Sequence, residues 1–210
     1  GWTRAGISLP ISIGLLVYGI VGPFSAAFID RFGMRKVVLS ALVLLLVGFA
    51  PTVLISDSWQ LIPLWGLAAG LGTGIAAMIL AAIVSTRWFV KRRGLVMGVL
   101  TGAAAAGNLI FLPLLANVTV HIGWRWAVAI ACAFVVVAIP IVALFLRSKP
   151  SDVGLEPYGA GADFKELAIP RVNPITATFS ALGLALGSRD FWLLSGSFAV
   201  CGASTIGLVG

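Results

Sequence analysis

One acidic and three basic residues stand together in the segment Asp30–Lys36, which joins two long apolar runs. The basic residues are Arg31, Arg35 and Lys36. A carboxylate at a membrane boundary is costly to hold unless it is paired, so these residue types predict ion pairing rather than catalysis. Gly33 lies among them, where a residue without a side chain permits a tight reversal of the chain. The segment therefore predicts a charged turn between two helices.

Side chains that commonly perform catalysis or bind metals are scarce in this sequence. His121 is the one histidine, and the two cysteines, Cys132 and Cys201, both lie inside apolar runs. Cysteines placed in this way do not suggest a disulfide framework or a zinc site. Catalysis needs several groups that converge on one point. The sequence therefore predicts a protein that is not an enzyme and that uses no metal or other cofactor.

Long apolar runs must position the charged turn, because they make up most of the chain. Hydrophobic residues are 60% of the 210 residues and charged residues only 10%, whereas about a quarter of the residues are charged in soluble domains. Each run is long enough to cross ~30 Å of hydrocarbon as a helix, which predicts an all-α, polytopic membrane protein. The runs without Lys, Arg, Asp or Glu are Ile7–Ile29, Val37–Ser56, Ser58–Thr86, Gly94–Trp124, Trp126–Leu146 and Phe191–Gly210.

The distribution of the 14 basic residues predicts the orientation of these helices. When loops are assigned to alternating sides, Arg4 and Arg125 lie on one side and the other twelve on the opposite side. Short loops rich in Lys and Arg stay in the cytoplasm, so Gly1 is expected outside and the long loop Arg147–Asp190 inside. Membrane topology thereby accounts for the net charge of +7, and no nucleic-acid partner is expected. The predicted location is the cell membrane, with the lipid bilayer as the partner of a multi-pass protein.

The sequence also contains an internal repeat with an offset of 90 residues. Pro23, Gly33 and Arg35 are matched by Pro113, Gly123 and Arg125. Three apolar runs separate the two copies, so they are expected on opposite faces of the membrane. Inverted repeats of three helices are characteristic of secondary transporters. With the long cytoplasmic loop, the repeat indicates two related six-helix halves.

Two loops resemble signatures of a known transporter family. Residues 26–36 are similar to Gly-x-x-x-Asp-Arg-x-Gly-x-Arg-Arg, the cytoplasmic signature of the major facilitator superfamily between helices two and three, with Ala26 in place of the first glycine. Residues 87–98 are similar to the aromatic-Phe-x-Lys-Arg-Arg-x-Leu-Ala-x-Gly signature of monocarboxylate transporters and bacterial oxalate/formate antiporters. Trp88 stands there in place of Tyr, and Val96 in place of Ala. Segments that also resemble this group are 1–4, 150–159 and 190–194.

This resemblance implies a major-facilitator-type helical bundle in which the six runs are helices two to seven of twelve. Residues 1–146 are then most of the N-terminal half, residues 147–190 the cytoplasmic central linker, and residues 191–210 the first helix of the C-terminal half. The implied function is secondary active transport of small organic anions, of the monocarboxylate or oxalate/formate type, by alternating access with a coupled proton or counter-anion. Two alternatives stay open: a carrier of the superfamily for another solute, such as a sugar or drug, and a membrane sensor or enzyme subunit.

The resemblance also implies a gate at the cytoplasmic ends of the helices. Asp30 is expected to help hold the cytoplasmic side closed, surrounded by the cations of its own turn. The other candidate gating residues are Arg31, Gly33, Arg35, Lys36, Arg92 and Arg93.

Two apolar runs carry glycines at every fourth residue, which forms a smooth stripe on one helix face. Such stripes let membrane helices approach closely, and we expect the two striped helices to face each other, either to slide during transport or to pack statically. The stripes are Gly66, Gly70 and Gly74 in one run and Gly94, Gly98 and Gly102 in another.

Polar side chains inside the runs are few, and none of them is charged. Tyr18 and Asn108 are candidate residues of a substrate cavity, with interhelical hydrogen bonding as the alternative. Since an anion site in a membrane normally needs a buried cation, the charged site residues are expected outside this sequence. In the long loop, Thr176–Gly187 is expected to be either a short interfacial helix or an ordered linker.

Overall fold

The computed structural model describes residues 4–55, 57–76, 79–160, 174–202 and 204. Almost all of these residues are helical, as the uninterrupted apolar runs predict. The chain forms two compact units, Gly1–Pro170 and Arg171–Gly210. The predicted all-α architecture of a polytopic membrane protein is confirmed.

The first unit contains long helices joined by short turns. Its described α-helices are α1 Arg4–Phe32, α2 Met34–Phe49, α3 Gly70–Ala76, α4 Ile79–Trp88, α5 Arg93–His121 and α6 Trp124–Phe145. Shorter 3₁₀ segments lie at Ala50–Leu54, Ser58–Gln60 and Pro150–Val153, and a π-helical segment at Ile62–Ala69 precedes α3.

Five segments of the described chain are long and apolar enough to cross a membrane. They are Ser8–Phe32, Met34–Leu54, Ile62–Trp88, Arg93–His121 and Trp124–Phe145. Each coincides with one of the first five predicted runs, shifted by a few residues because the helices include charged residues at their ends. The predicted sixth span begins in the second unit as α8, Arg189–Gly202, and most of its remainder lies outside the described residues.

The second unit also contains a helix in the long loop, where the sequence left a short helix and an ordered linker as alternatives. This helix, α7, covers Pro174–Leu186 and is followed closely by α8. Its position at a membrane interface stays a prediction.

The third span, Ile62–Trp88, packs between the first two because its glycines leave no side chain in the way. A Cβ on Gly70 would lie 2.9 Å from the carbonyl oxygen of Gly14 in α1. A Cβ on Gly72 would lie 2.9 Å from the carbonyl oxygen of Ala41 in α2. Close approach at small residues is the usual way for helices to associate in lipid, where apolar side chains gain little by leaving it.

A hydrogen-bonded threonine joins the end of the second span to the start of the third. Thr52 is buried, and its hydroxyl oxygen accepts a hydrogen bond from the indole N–H of Trp65 at 3.0 Å. The same hydroxyl donates to the carbonyl oxygen of Gly48 at 3.0 Å. The Trp65 ring also meets Phe49 edge to face, with 5.6 Å between the ring centroids. The buried polar group is thereby satisfied, which fixes this end of the helix pair.

The best-buried apolar side chains lie at the opposite end of these spans, around the turn between α1 and α2. Ile29, Met34, Val37 and Val38 form the cluster, and residues of α4 and α6 pack against it. By contrast, α5 contains no buried residue. The core therefore supports the charged turn and does not include α5.

Candidate functional site

The turn between α1 and α2 has the conformation that its glycine predicts. Gly33 has φ 85° and ψ 146°, a backbone conformation that residues with a side chain rarely adopt. Its N–H donates to the carbonyl oxygen of Ile29 at 3.0 Å, and its own carbonyl oxygen accepts from the N–H of Val37 at 3.3 Å. The predicted tight reversal at Gly33 is confirmed, and it leaves Asp30 at the exposed rim of the buried cluster.

The carboxylate of Asp30 forms a salt bridge with Arg87, which lies 57 residues further along the chain. The Nη2 of Arg87 donates to Oδ1 of Asp30. Arg87 belongs to the last turn of α4, so the ion pair ties the end of the third span to the end of the first. The Arg87 side chain is 15% exposed and that of Asp30 is 41% exposed. The ion pair therefore joins two helix ends, with one partner mostly covered and the other partly exposed.

The three cations of the Asp30 turn lie within six residues of Asp30 in the chain. The guanidinium carbon of Arg31 lies 5.6 Å from the ring centroid of Phe32, a distance at which cation–π attraction operates. Arg35 and Lys36 occupy the first turn of α2. That these cations form the electrostatic surroundings of Asp30 stays a prediction, and the direct partner that the structure shows is Arg87.

The two arginines predicted from the second signature shape the start of α5. Arg92 is the N-cap residue of α5 and has φ 61° in the left-handed region. The Nε of Arg93 donates to the carbonyl oxygen of Phe89 at 2.7 Å. Both side chains are exposed. Their predicted role in gating stays a prediction.

The glycine stripe of the third span packs against α1, so our expectation that the two striped helices face each other is wrong. A Cβ on Gly66 would lie 2.9 Å from Cγ2 of Ile13, and one on Gly74 would lie 3.2 Å from the backbone of Tyr18. The physical reason is complementarity, because α1 offers Gly14 opposite Gly70 and so lets the two backbones touch. The stripe of the third span is therefore in contact with α1, and its sliding during transport stays a prediction.

The stripe of α5 has open space in front of it. Within the described part of the chain, no atom lies within 4 Å of a Cβ built on Gly94, Gly98 or Gly102. Helix packing at these three positions stays a prediction.

The two candidate cavity residues lie on different helices and are both exposed. The Tyr18 side chain is 40% exposed on α1, and Asn108 lies in the middle of α5. The backbone of Tyr18 takes part in the contact with Gly74. Contact with a substrate stays a prediction for both residues.

Sequence reasoning missed Arg87 and two residues of the long loop that lie close to the charged turns. A Cβ on Gly33 would lie 3.1 Å from Oγ of Ser148, and Tyr158 exchanges backbone hydrogen bonds with the loop after Arg87. The cation count placed Arg87 on the same side of the membrane as Asp30, which was a signal for the pair. Nothing in the spacing of the loop indicated the contacts of Ser148 and Tyr158.

A metal centre has no visible basis in the described residues. No group of three or more His, Cys, Asp or Glu side chains in them could hold a metal ion.

Comparison with known proteins gives a family match and several relatives. The family model described as Major Facilitator Superfamily matches residues 1–209. The chain is 28% identical over 153 residues to an uncharacterised MFS-type transporter, YcxA, of Bacillus subtilis. It is 26% identical over 151 residues to the Fujikurins efflux protein of Gibberella fujikuroi, and 29% identical over 151 residues to monocarboxylate transporter 14 of Homo sapiens.

These alignments cover most of this chain but a minor part of each relative. They include 70%, 70% and 72% of the chain, against 36%, 32% and 28% of the three relatives in the same order. The chain thus spans about a third of the length of the curated relatives that it matches.

Proposed function

The chain belongs to the major facilitator superfamily, a family of multi-pass membrane transporters rather than enzymes, and on this premise we propose that it is a secondary active transporter of small organic anions. The anions are of the monocarboxylate or oxalate/formate type, and a coupled proton or counter-anion accompanies them. The observation that carries the proposal is the similarity to monocarboxylate transporter 14, which covers 72% of this chain. The signature at residues 87–98 supports the same group.

We further propose that the Asp30–Arg87 ion pair is the cytoplasmic gate of this transporter. The pair lies at the helix ends that the cation count assigns to the cytoplasm. Because Asp30 is 41% exposed, the pair is worth about 1 kcal/mol at most. That amount stabilises the fold little, but it shifts an equilibrium between two conformations about fivefold. An ion pair of this kind suits a gate that must open in every transport cycle.

The proposed division of the chain follows from the family. Residues 1–146 contribute helices two to six of twelve, residues 147–190 form the central cytoplasmic linker, and residues 191–210 begin the second half. The substrate site of such carriers lies near the membrane midplane between the two halves. We assign Tyr18 and Asn108 to that cavity, and we expect the cation that binds a carboxylate to come from outside these residues.

Uptake of radiolabelled lactate, formate and oxalate by cells that express the intact protein tests the proposal. We expect saturable uptake of at least one of these anions. Asp30→Asn should lower that uptake about fivefold at equal surface expression. Asp57→Asn is the matched control, because it makes the same chemical change at the opposite ends of the spans and should leave uptake unchanged. Absence of saturable uptake for all three anions would contradict the proposed substrate class, and full uptake by Asp30→Asn would contradict the gate.

A second candidate function is the export of another solute. The similarity to the Fujikurins efflux protein, which covers 70% of this chain, favours it. Export would leave the helix arrangement and the gate unchanged, because the direction of transport depends on the coupled gradient. Accumulation of a larger neutral compound in cells that lack the protein, with no anion uptake, would support this candidate.

A further inference from the structure

The start of the long loop returns to the helix ends and pairs with the loop between α4 and α5. The N–H of Tyr158 donates to the carbonyl oxygen of Trp88 at 2.8 Å, and the carbonyl oxygen of Tyr158 accepts from the N–H of Val90 at 2.9 Å. Phe89 and Tyr158 thereby form an isolated parallel β-bridge. Their rings are also in contact, with 6.0 Å between the centroids.

Gly159, the residue after Tyr158, packs so closely against the same loop that a side chain would not fit. Gly159 has φ 81°, and a Cβ on it would lie 2.8 Å from both Cβ and Cγ of Lys91. Since the near atoms belong to the root of the Lys91 side chain, it cannot swing away easily. Gly154, in the same loop, has a similar φ of 70°, but no described atom lies within 4 Å of a Cβ built on it.

The beginning of the same loop contacts the turn that follows Asp30, the other partner of the ion pair. Ser148 lies against Gly33, three residues after Asp30, and Pro150 is buried. Residues 148–159, which we call the cytoplasmic strap, therefore run from the turn that carries Asp30 to the helix end that carries Arg87. The strap contacts the chain close to both partners of the ion pair.

The strap has a physical means of acting on Arg87. The last carbonyl groups of a helix have no partner within the helix, and its final turn frays unless they find one. Tyr158 supplies that partner to Trp88, the residue directly after Arg87. We propose that the cytoplasmic strap, through Tyr158 and Gly159, positions Arg87 for its ion pair with Asp30. The proposal deepens the gate described above and rests on it only for its consequence in transport.

Hydrogen exchange of backbone amides in the intact protein, measured by mass spectrometry in nanodiscs, tests the strap without any substrate. Gly159→Ala should raise the exchange rates of the Val90 and Tyr158 amides about tenfold above those in Gly154→Ala. Both glycines have a positive φ, 70° and 81°, so the comparison reports the contact with Lys91. The amides of residues 85–88, in the last turn of α4, should also exchange faster in Gly159→Ala.

Further variants distinguish loss of strap docking from poor folding of Gly159→Ala. Lys91→Gly removes the clashing side chain, so Gly159→Ala combined with Lys91→Gly should recover slow exchange at Val90 and Tyr158, even if Gly159→Ala alone folds poorly. Asp30→Asn should leave the strap amides protected. Equal exchange in Gly159→Ala and Gly154→Ala would overturn the docking of the strap. Faster exchange at Val90 and Tyr158 with no change at residues 85–88 would overturn its positioning of Arg87. Neither result depends on whether the protein carries organic anions.

Discussion

The helix pairs α1–α2 and α5–α6 have the same local design but different surroundings. Each begins with a 29-residue helix that contains a proline, and each turns at one glycine with positive φ that precedes the next helix. Gly33 has φ 85° and ψ 146°, and Gly123 has φ 119° and ψ 153°. Gly33 and Gly123, which match in the predicted repeat, thus occupy corresponding turns, while the inverted repeat of three helices stays a prediction.

The two helix pairs differ in the residues that contact their turns. The first turn lies on a buried apolar cluster, and its acid binds Arg87. In the second, the residue that matches Asp30 is Val120, which is 78% exposed. Its arginine, Arg125, donates from Nε to the carbonyl oxygen of Val53 at 3.1 Å. The same backbone turn is thus tied to another helix end by an ion pair only where the sequence provides both an acid and a facing cation.

The largest predicted effect is the difference in stability between an alanine variant of the packed glycine stripe and one of the open stripe. Gly70→Ala places a Cβ 2.9 Å from the carbonyl oxygen of Gly14, and we expect it to lower the free energy of unfolding by about 1–3 kcal/mol. Gly98→Ala meets open space and replaces a poor helix former, so it should be neutral or stabilise by up to about 1 kcal/mol. Thermal unfolding in detergent measures both. Equal melting temperatures for the two variants would contradict the contrast.

A smaller difference in stability should separate the alanine variants of the two turn glycines, Gly33 and Gly123. Alanine at Gly33 or Gly123 is strained by the positive φ, at about 1–3 kcal/mol each. Gly33→Ala should cost more, because its Cβ also lies 3.1 Å from Oγ of Ser148, while the Cβ at Gly123 meets no described atom. Combining Gly33→Ala with Ser148→Gly should bring the cost back to that of Gly123→Ala in the same unfolding measurement. A double variant as unstable as Gly33→Ala would rule out the contact.

The smallest effects concern the two arginines that bridge different elements. Arg87→Gln should lower transport about fivefold, through loss of an ion pair worth at most about 1 kcal/mol. Arg125→Gln loses a hydrogen bond to one exposed carbonyl group and should change stability by less than about 0.5 kcal/mol, with transport unchanged. Uptake at equal surface expression compares them. A greater loss in Arg125→Gln would mean that the second turn also works as a gate.

The sequence predicted the spans and the reversal at Gly33, because both depend on residues that are neighbours in the chain. Uninterrupted apolar runs and a glycine between charges are local signals. The partner of Asp30 is 57 residues away, and the contact of Gly70 with Gly14 depends on which helix lies beside which. The glycine stripe alone could not say which helix it meets, since any smooth neighbour fits it. The hydrogen bonds that dock Tyr158 join backbone atoms, which all residues share, so the residue type gave no signal for them.

The central claim is that the Asp30–Arg87 pair holds the cytoplasmic side closed. The accessibility of the proposed cavity from that side tests it. A single cysteine at position 108, or at position 18 as a second reporter, is introduced where Cys132 and Cys201 are replaced by Ala. Its labelling by a membrane-impermeant maleimide is followed in inside-out vesicles. We predict that Asp30→Asn speeds labelling about fivefold at one or both positions, and that the Asp57→Asn control does not. Unchanged labelling at both positions in Asp30→Asn would contradict the account.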